Sequence, residues 1–170
     1  MSNEAHTITH TYLTFRLGKE YFASNVSKVL NILEMLPITH IPKAPEYMKG
    51  VINLRGTVLP VIDTRIKFGM SPAEVSPSTG ILVLDVNVDG VAVKLGAIVD
   101  SVDEVIELEA SDIQESPSLG TKYKSEFIEG MAKKDQSFIM ILNMDRVFSA
   151  DEIIEVGQFH TEESNTDKSK

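Results

Sequence analysis

The feature that most constrains this fold is an alternation, with a period of two, of apolar and polar side chains along several short segments. Successive side chains of a strand point to opposite faces of a sheet, so this period predicts β-strands. The alternation is clearest over Leu13–Leu17, and strands are also predicted at Thr57–Asp63, at Gly80–Val88 and at the apolar run Phe138–Leu142. The run 80–88 is so rich in Val, Leu and Ile that we expect both faces of its strand to be buried. Asp89-Gly90 predicts a two-residue hairpin turn directly after it.

An internal repeat indicates that the chain contains two similar halves. The pattern V-x-x-V-x-x-I at 26–32 recurs 76 positions later as V-x-x-V-x-x-L at 102–108, and Gly50 recurs 80 positions later as Gly130. Each half is therefore predicted to contain, in this order, a strand, a turn, a strand, the V-x-x-V segment, a glycine, a strand, a turn, a strand and a short helix. Short strands with few helices are typical of small barrels. We therefore expect two similar barrels within one domain, 11–155, with their junction near 69–78.

The helical signals are short, and the two ends of the chain lack any apolar period. Helices are predicted at Asn25–Val29, Pro45–Lys49, Asp63–Phe68 and Met144–Val156, the last one near the C-terminus. Residues 1–10 and 157–170 are mostly polar, and we expect both to be flexible tails.

Composition excludes several classes of function. The 170 residues carry 16 Lys and Arg against 25 Asp and Glu, a net charge of −9, which disfavours binding to nucleic acid. The chain contains no Cys, so thiol catalysis and disulfides are excluded. No apolar run approaches the roughly 18 residues that span a bilayer, and no secretory signal begins the chain. We expect a cytoplasmic protein that does not insert into the membrane.

The sequence contains no recognisable catalytic set. Of its four His residues only His40 lies outside the expected tails, and no phosphate-binding, nucleotide-binding or hydrolase motif is present. The acidic run over 100–112 has the spacing of a solvated strand face. Asp85-x-Asn87-x-Asp89-Gly90 matches half of a calcium loop, but Gly96 stands where a bidentate Glu is required. We therefore predict no enzyme activity, no cofactor and no metal.

The most informative segment is 41–63. Two prolines stiffen its start, Gly50 frees the backbone before a strand, and Asn53-Leu54-Arg55-Gly56 forms a turn with Arg55 at its tip. From these residues alone, Arg55 is either a solubilising side chain on an ordinary turn or a contact for a partner.

This segment resembles a known family. The run P-x-x-P-x-x-x-x-G-x-x-N-L-R-G-x-x-x-P-V-I-D-x-R at 42–65 is similar to the signature of CheW, the coupling protein of bacterial chemotaxis. Tyr12-x-x-Phe15-x-Leu17 resembles the first strand of that family. The run 96–105 resembles its second-half signature, and Phe127-Ile128-x-Gly130 with Ile141-Leu142 resembles its closing strands. The resemblance covers 11–155.

The resemblance implies a mostly β fold of two five-stranded, SH3-like barrels packed together, with a few short helices. It implies a non-enzymatic adaptor that links the cytoplasmic tips of methyl-accepting chemoreceptors to the histidine kinase CheA in membrane-associated receptor arrays. The contacts with receptor or kinase that it implies are Val29, Asn31, Gly50, Asn53, Arg55, Gly56 and Leu119. Leu119, in an otherwise polar loop, would face the kinase.

The chain departs from the family pattern at two positions, and one alternative function stays open. The family often carries an acidic residue where this chain has Asn31, which weakens the case for a charge pair at Arg55. The usual D-L-R of the family is Asp63-Thr64-Arg65 here. The rival hypothesis is a small-molecule sensor or enzyme that uses the cleft between the barrels, with Asp63, Asp85 and Asp100 as its polar groups.

Overall fold

A computed structural model describes residues 9–72, 74–115 and 127–147. Within these ranges the elements follow in the order β1 (Thr9–Leu17), β2 (Glu20–Asn25), β3 (Val29–Glu34), β4 (Met48–Leu54), β5 (Thr57–Asp63), α1 (Thr64–Lys67), β6 (Gly80–Val88), β7 (Val91–Val99), β8 (Ser101–Glu109), β9 (Ile113–Gln114), β10 (Ile128–Lys134), β11 (Ser137–Leu142) and α2 (Met144–Val147). A 3-10 turn, Val26–Lys28, joins β2 to β3, and a second one precedes β9.

The strands form two sheets, and the predicted mostly β architecture is confirmed. One sheet has the order β3-β6-β7-β5-β4, and the other has the order β8-β1-β2-β11-β10-β9. The second sheet therefore has a sixth strand, the two-residue β9, beyond the five expected. In the first sheet the chain returns from β3 to β4, where Thr39 and Val51 exchange backbone hydrogen bonds of 2.8 and 2.9 Å. Both sheets are consistent with SH3-like barrels.

The internal repeat is visible in the strand register. Val29 of β3 pairs with Leu84, and Val105 of β8 pairs with Leu13, at matching places in the two sheets. The β4–β5 and β10–β11 ladders are also interrupted alike, by a register shift that ends at Gly50 in one and at Gly130 in the other.

The loop at 69–78 separates the two repeats, but it does not separate the two barrels. The β1–β2 hairpin of the first repeat lies in the sheet of β8, β10 and β11, and the β6–β7 hairpin lies in the sheet of β3, β4 and β5. The expected junction is corrected accordingly: each sheet combines strands from both sides of the loop. Pairing between distant strands decides this arrangement, and no local pattern reports it.

Strand β6 lies between two cores, as its apolar run predicted. Ile81 and Val83 pack inside the five-stranded barrel with Ile52, Leu59 and Val61. Leu82, Leu84 and Val86 point the other way, into the core between the sheets. That core is completed by side chains of the second sheet, among them Leu13, Phe15, Leu17, Phe22 and Leu142.

Some predicted boundaries and helices differ from the structure. Strand β1 begins at Thr9, which pairs with Glu109, so Thr9 and His10 belong to the sheet rather than to a tail. The predicted helix at 25–29 is only a 3-10 turn behind its Asn25 cap. The predicted helix at Pro45–Lys49 is wrong, because Met48 starts β4 and pairs with Ile62. The helix after Asp63 is confirmed. Residues 157–170 lie outside the described residues.

Candidate functional site

The turn at 53–56 joins β4 to β5. Leu54 and Thr57 form the last pair of the ladder, and between them Arg55 and Gly56 have φ angles of 54° and 85°. Two consecutive residues with positive φ are typical of a type I′ hairpin turn. The side-chain oxygen of Asn53 accepts a hydrogen bond of 2.7 Å from the Gly56 amide and stabilises the turn. The predicted turn is confirmed.

The turn at 87–90 is built in the same way and provides a comparison. Asp89 and Gly90 have φ angles of 53° and 83°, and Asn87 accepts a hydrogen bond of 3.1 Å from the Gly90 amide. Asp and Asn tolerate this left-handed backbone because their short side chains can bond locally, whereas other non-glycine residues lose roughly 1–2 kcal/mol there. Arg55 therefore has a backbone conformation that is unfavourable for an arginine.

No described contact of the Arg55 side chain offsets this unfavourable backbone conformation. Its side chain is exposed, and no described residue forms an ion pair or hydrogen bond with its guanidinium group. The guanidinium of Arg65 differs, because its Nη1 lies 3.0 Å from Oδ2 of Asp100. The Arg55 guanidinium therefore presents its hydrogen-bond donors to solvent at the tip of a defined turn.

Strand β3 exposes large apolar side chains to solvent. Its burial alternates, so that Val29, Asn31 and Leu33 are half-buried while Leu30, Ile32 and Glu34 are exposed. Leu30 is 50% exposed and Ile32 is 48% exposed, which leaves two large apolar side chains on the outer face of an end strand. We refer to Val26, Leu30 and Ile32, all exposed, as the β3 apolar surface.

The residues that the resemblance implied on β3 lie on its inner side. Val29 packs against the core between the sheets, and the Asn31 side chain accepts a hydrogen bond of 2.9 Å from the Ile32 amide. No described ion pair or hydrogen bond joins Asn31 to Arg55. Sequence reasoning missed Leu30 and Ile32. No sequence signal singles them out, because a strand over 29–34 places apolar side chains on both of its faces.

Gly50 has a structural reason to be glycine. A Cβ atom there would overlap the carbonyl oxygen of Thr39 and would lie 2.8 Å from Cγ2 of Ile38. Gly130 is similar, since a Cβ would lie 2.8 Å from the carbonyl oxygen of Gln114. Gly50 therefore allows the chain after β3 to approach β4 and shapes the barrel that carries Arg55. Leu119, the remaining contact that the resemblance implied, lies outside the described residues.

The carboxylates of the rival hypothesis do not converge on a ligand. Asp63 caps α1 by accepting from the Arg65 and Ile66 amides at 3.0 and 3.3 Å. Asp100 accepts from Arg65 and from the Gly18 amide. Asp85 lies opposite Lys94 in the β6–β7 ladder. Asp63 and Asp100 therefore both have Arg65 as a structural partner, through its amide and its guanidinium, respectively.

A half-open cavity of 490 Å³ lies elsewhere and is mainly apolar. Its lining includes Phe22, Phe68, Met70, Phe127 and Met140, and none of the three carboxylates contributes to it. The rings of Phe22 and Phe68 are 5.6 Å apart, and those of Phe68 and Phe127 are 6.4 Å apart. Glu20 and Lys67 are the charged residues of this lining, and Nζ of Lys67 lies 5.7 Å from the centre of the Phe127 ring. The cavity is therefore mainly aromatic and aliphatic, unlike a site built on the three carboxylates of the rival hypothesis.

The acidic run forms an exposed strand face, as expected. Asp103, Glu104, Glu107 and Glu109 are all exposed on β8. The Glu104 carboxylate lies 3.0 Å from Nζ of Lys134, and its hydrogen bond raises the pKa of Lys134. Within the described residues, no group of three or more metal-ligating side chains comes together, and neither four-residue helix is long enough to span a membrane.

Comparisons with known proteins agree with this architecture. Residues 11–152 match the model of the CheW-like domain. A chemotaxis protein CheW of Rhizobium meliloti is 33% identical over 155 residues, covering 89% of this chain and 97% of that protein. A probable chemotaxis protein CheW of Rhizobium etli is 34% identical over 140 residues, covering 82% and 88%. The crystal structure of the scaffolding protein TtCheW from Thermoanaerobacter tengcongensis superposes with a TM-score of 0.73 at 32% identity, covering 86% of this chain and 92% of that one.

The two-sheet β fold is shared with the scaffolding protein TtCheW, so the chain has the architecture of that class of protein. Within that class the family is shown by the extent of the match. The chain belongs to the CheW family of chemotaxis proteins.

Proposed function

We propose that this protein is a non-enzymatic coupling protein that links the cytoplasmic tips of methyl-accepting chemoreceptors to a CheA-type histidine kinase. It acts in the cytoplasm, reaches the membrane through its receptors and supports the assembly of receptor arrays. The proposal is supported by membership of the CheW family and by the description of a structural relative as a scaffolding protein. It requires no cofactor.

The observation that carries the proposal is that Arg55 is not needed for the structure of its own turn. The residue has a φ of 54°, which disfavours an arginine, and its guanidinium has no described partner. Asn53 and Gly56 account for the turn without it. A guanidinium at such a tip suits a carboxylate or a free backbone carbonyl on a partner helix. We assign Arg55 to the receptor contact.

The β3 apolar surface supplies the second part of the same contact. Leu30 and Ile32 project outward from an end strand, so a receptor helix can cover them without rearrangement of the core. Val29 packs against the core between the sheets and Gly50 shapes the barrel, so both residues support this contact indirectly. Leu119, by resemblance, is assigned to the kinase contact on the other barrel.

The decisive experiment compares Arg55→Glu with Lys19→Glu. Lys19 is exposed in the β1–β2 turn, so the control makes the same charge change in another hairpin. Each variant is titrated calorimetrically with a purified receptor cytoplasmic fragment and, separately, with the kinase. Loss of a charged hydrogen-bond partner costs roughly 1–3 kcal/mol, or about ten- to a hundredfold in affinity. We expect that loss for Arg55→Glu with receptor alone, and none for the control.

The opposing outcomes are distinct. Equal receptor binding by both variants would make Arg55 a solubilising residue of an ordinary turn. Co-purification from the native cell tests the wider function, since recovery of neither a CheA-type kinase nor receptors would contradict a coupling role. Ile32→Ser should fold normally, because its side chain is half exposed, and should weaken the receptor contact with little effect on kinase binding.

A further inference from the structure

One carboxylate connects the β3 apolar surface to the rest of the molecule. Oδ2 of Asp145, in α2, lies 2.9 Å from Nζ of Lys28, at the end of the 3-10 turn before β3. Oδ1 of the same carboxylate accepts a hydrogen bond of 2.8 Å from the backbone amide of Asn87 in β6. Asp145 therefore joins α2 to two segments that are 58 and 117 residues away from it in the chain.

The Asn87 amide needs such a partner. Strand β3 pairs with β6 only from Val29, which lies opposite Leu84, and before Val29 the chain turns away as the 3-10 turn. The edge of β6 beyond Leu84 consequently has no neighbouring strand on that side. An unpaired backbone N–H at a sheet edge is satisfied by a side chain or water, and here Asp145 is the acceptor.

The 3-10 turn has little else to hold it. None of its residues is buried, and its own bonds are local: Ser27 donates to the Asn25 side chain and Val29 donates to the carbonyl of Val26. Such a segment opens easily. Helix α2, by contrast, is firmly placed, since Met144 and Val147 are both buried in the core between the sheets. The ion pair therefore fastens a weakly held turn to a well-packed helix.

We propose that Asp145 is a positioning residue for receptor binding: through Lys28 and Asn87 it holds the 3-10 turn so that Val26 and Leu30 are presented in one arrangement. The inference rests on the proposed receptor contact and extends it to a residue outside that contact. Preorganisation of a surface saves the cost of ordering it when the partner binds. Loss of the ion pair should therefore weaken receptor binding while the fold persists.

The test uses Asp145→Asn, Lys28→Met and the double variant. Asparagine keeps an oxygen for the Asn87 amide but loses the charge, and methionine keeps most of the apolar stem of lysine. Lys134→Met is the matched control, because it breaks a comparable ion pair, 3.0 Å from Glu104, in the other sheet. Receptor and kinase binding are measured separately, together with hydrogen exchange at the amides of residues 27–30 and thermal unfolding.

A partly exposed ion pair is worth up to ~1 kcal/mol, so each single variant should bind receptor about three- to fivefold more weakly. The double variant should bind no more weakly than either single one, because both remove the same interaction. Amide exchange over 27–30 should accelerate by a similar factor, with unfolding temperature and kinase binding nearly unchanged. The control should match the unmodified protein in all these measurements.

Each contrary result overturns the inference. Unchanged exchange in Asp145→Asn would show that the turn does not depend on the carboxylate. Faster exchange with unchanged receptor binding would show that the ordering is irrelevant to the contact. Weaker binding in Lys28→Met alone would make Lys28 a direct contact. If the unmodified protein binds no receptor fragment, the proposed function fails, and the exchange measurement still decides whether Asp145 orders the turn.

Discussion

Asp100 and Arg65 join the two repeats, since the Asp100 carboxylate lies 3.0 Å from Arg65 Nη1 and also accepts a hydrogen bond of 2.6 Å from the Gly18 amide. Arg65 is the second residue of α1 and Asp100 lies at the corner between β7 and β8. Asp145 is the second residue of α2, and it pairs with Lys28 at the corner between β2 and β3. Arg65 and Asp145 are 80 positions apart, as Gly50 and Gly130 are, so the two repeats carry opposite charges at the same helix position.

We expect Asp100→Ala to destabilise the fold by about 2–3 kcal/mol, because a hydrogen bond to a charged group contributes about 1.5–3 kcal/mol and Arg65 would lose its partner. Urea unfolding measures this. In a cycle with Arg65→Met, the double variant should lose clearly less stability than the sum of the two single losses. Strict additivity would show that the two side chains do not interact in solution.

Arg55→Asn should stabilise the isolated protein while it weakens receptor binding. Asparagine tolerates the left-handed backbone better than arginine, so we expect a gain of about 0.5–1 kcal/mol, or roughly 1–4 °C in Tm. Asp135→Asn, at the positive-φ position of the β10–β11 turn, is the control and should change stability by less than about 0.5 kcal/mol. A lower Tm for Arg55→Asn would mean that the arginine makes a stabilising contact within the chain.

Gly50→Ala should be much more costly than Gly90→Ala. The new methyl group would collide with the Thr39 carbonyl in the first variant, while at Gly90 no atom lies within 4 Å and only the backbone angle of 83° opposes the change. We expect losses of about 3 kcal/mol and about 1 kcal/mol, respectively. Chemical denaturation of both variants measures the difference, and equal losses would argue against the close approach of β4 to the Thr39 segment.

Stability should fall at alkaline pH through Tyr12. Burial, with a smaller contribution from Glu129, raises the pKa of Tyr12 above its ordinary value of 10.0. The folded state therefore holds the phenolic proton more tightly than the unfolded state, and this contribution is fully present below about pH 10 and lost as the pH rises through the folded pKa. Tyr12→Phe should lose less stability between pH 9 and 11, measured as the urea midpoint. Identical pH profiles would contradict the shift.

Features that depend on neighbouring residues were predictable from the sequence. The alternation along β1 and the apolar runs of β6 and β11 indicated strands. The Asp89-Gly90 and Asn53–Gly56 turns reflect the φ angles that their residues accept. The apolar run of β6 indicated burial on both faces, which the two cores confirm. The helix predicted at Pro45–Lys49 failed because pairing of Met48 with Ile62 outweighed local preference.

The sequence by itself determined the strands, the turns and the repeat, because each of these is a matter of local backbone chemistry and side-chain period. Only the tertiary structure decided that the β1–β2 and β6–β7 hairpins pair with strands of the other repeat, and that Asp145 meets Lys28 across 117 residues. It also decided that Leu30 and Ile32 face solvent while Val29 faces the core. These outcomes depend on contacts between distant segments, whose free energy no local pattern encodes.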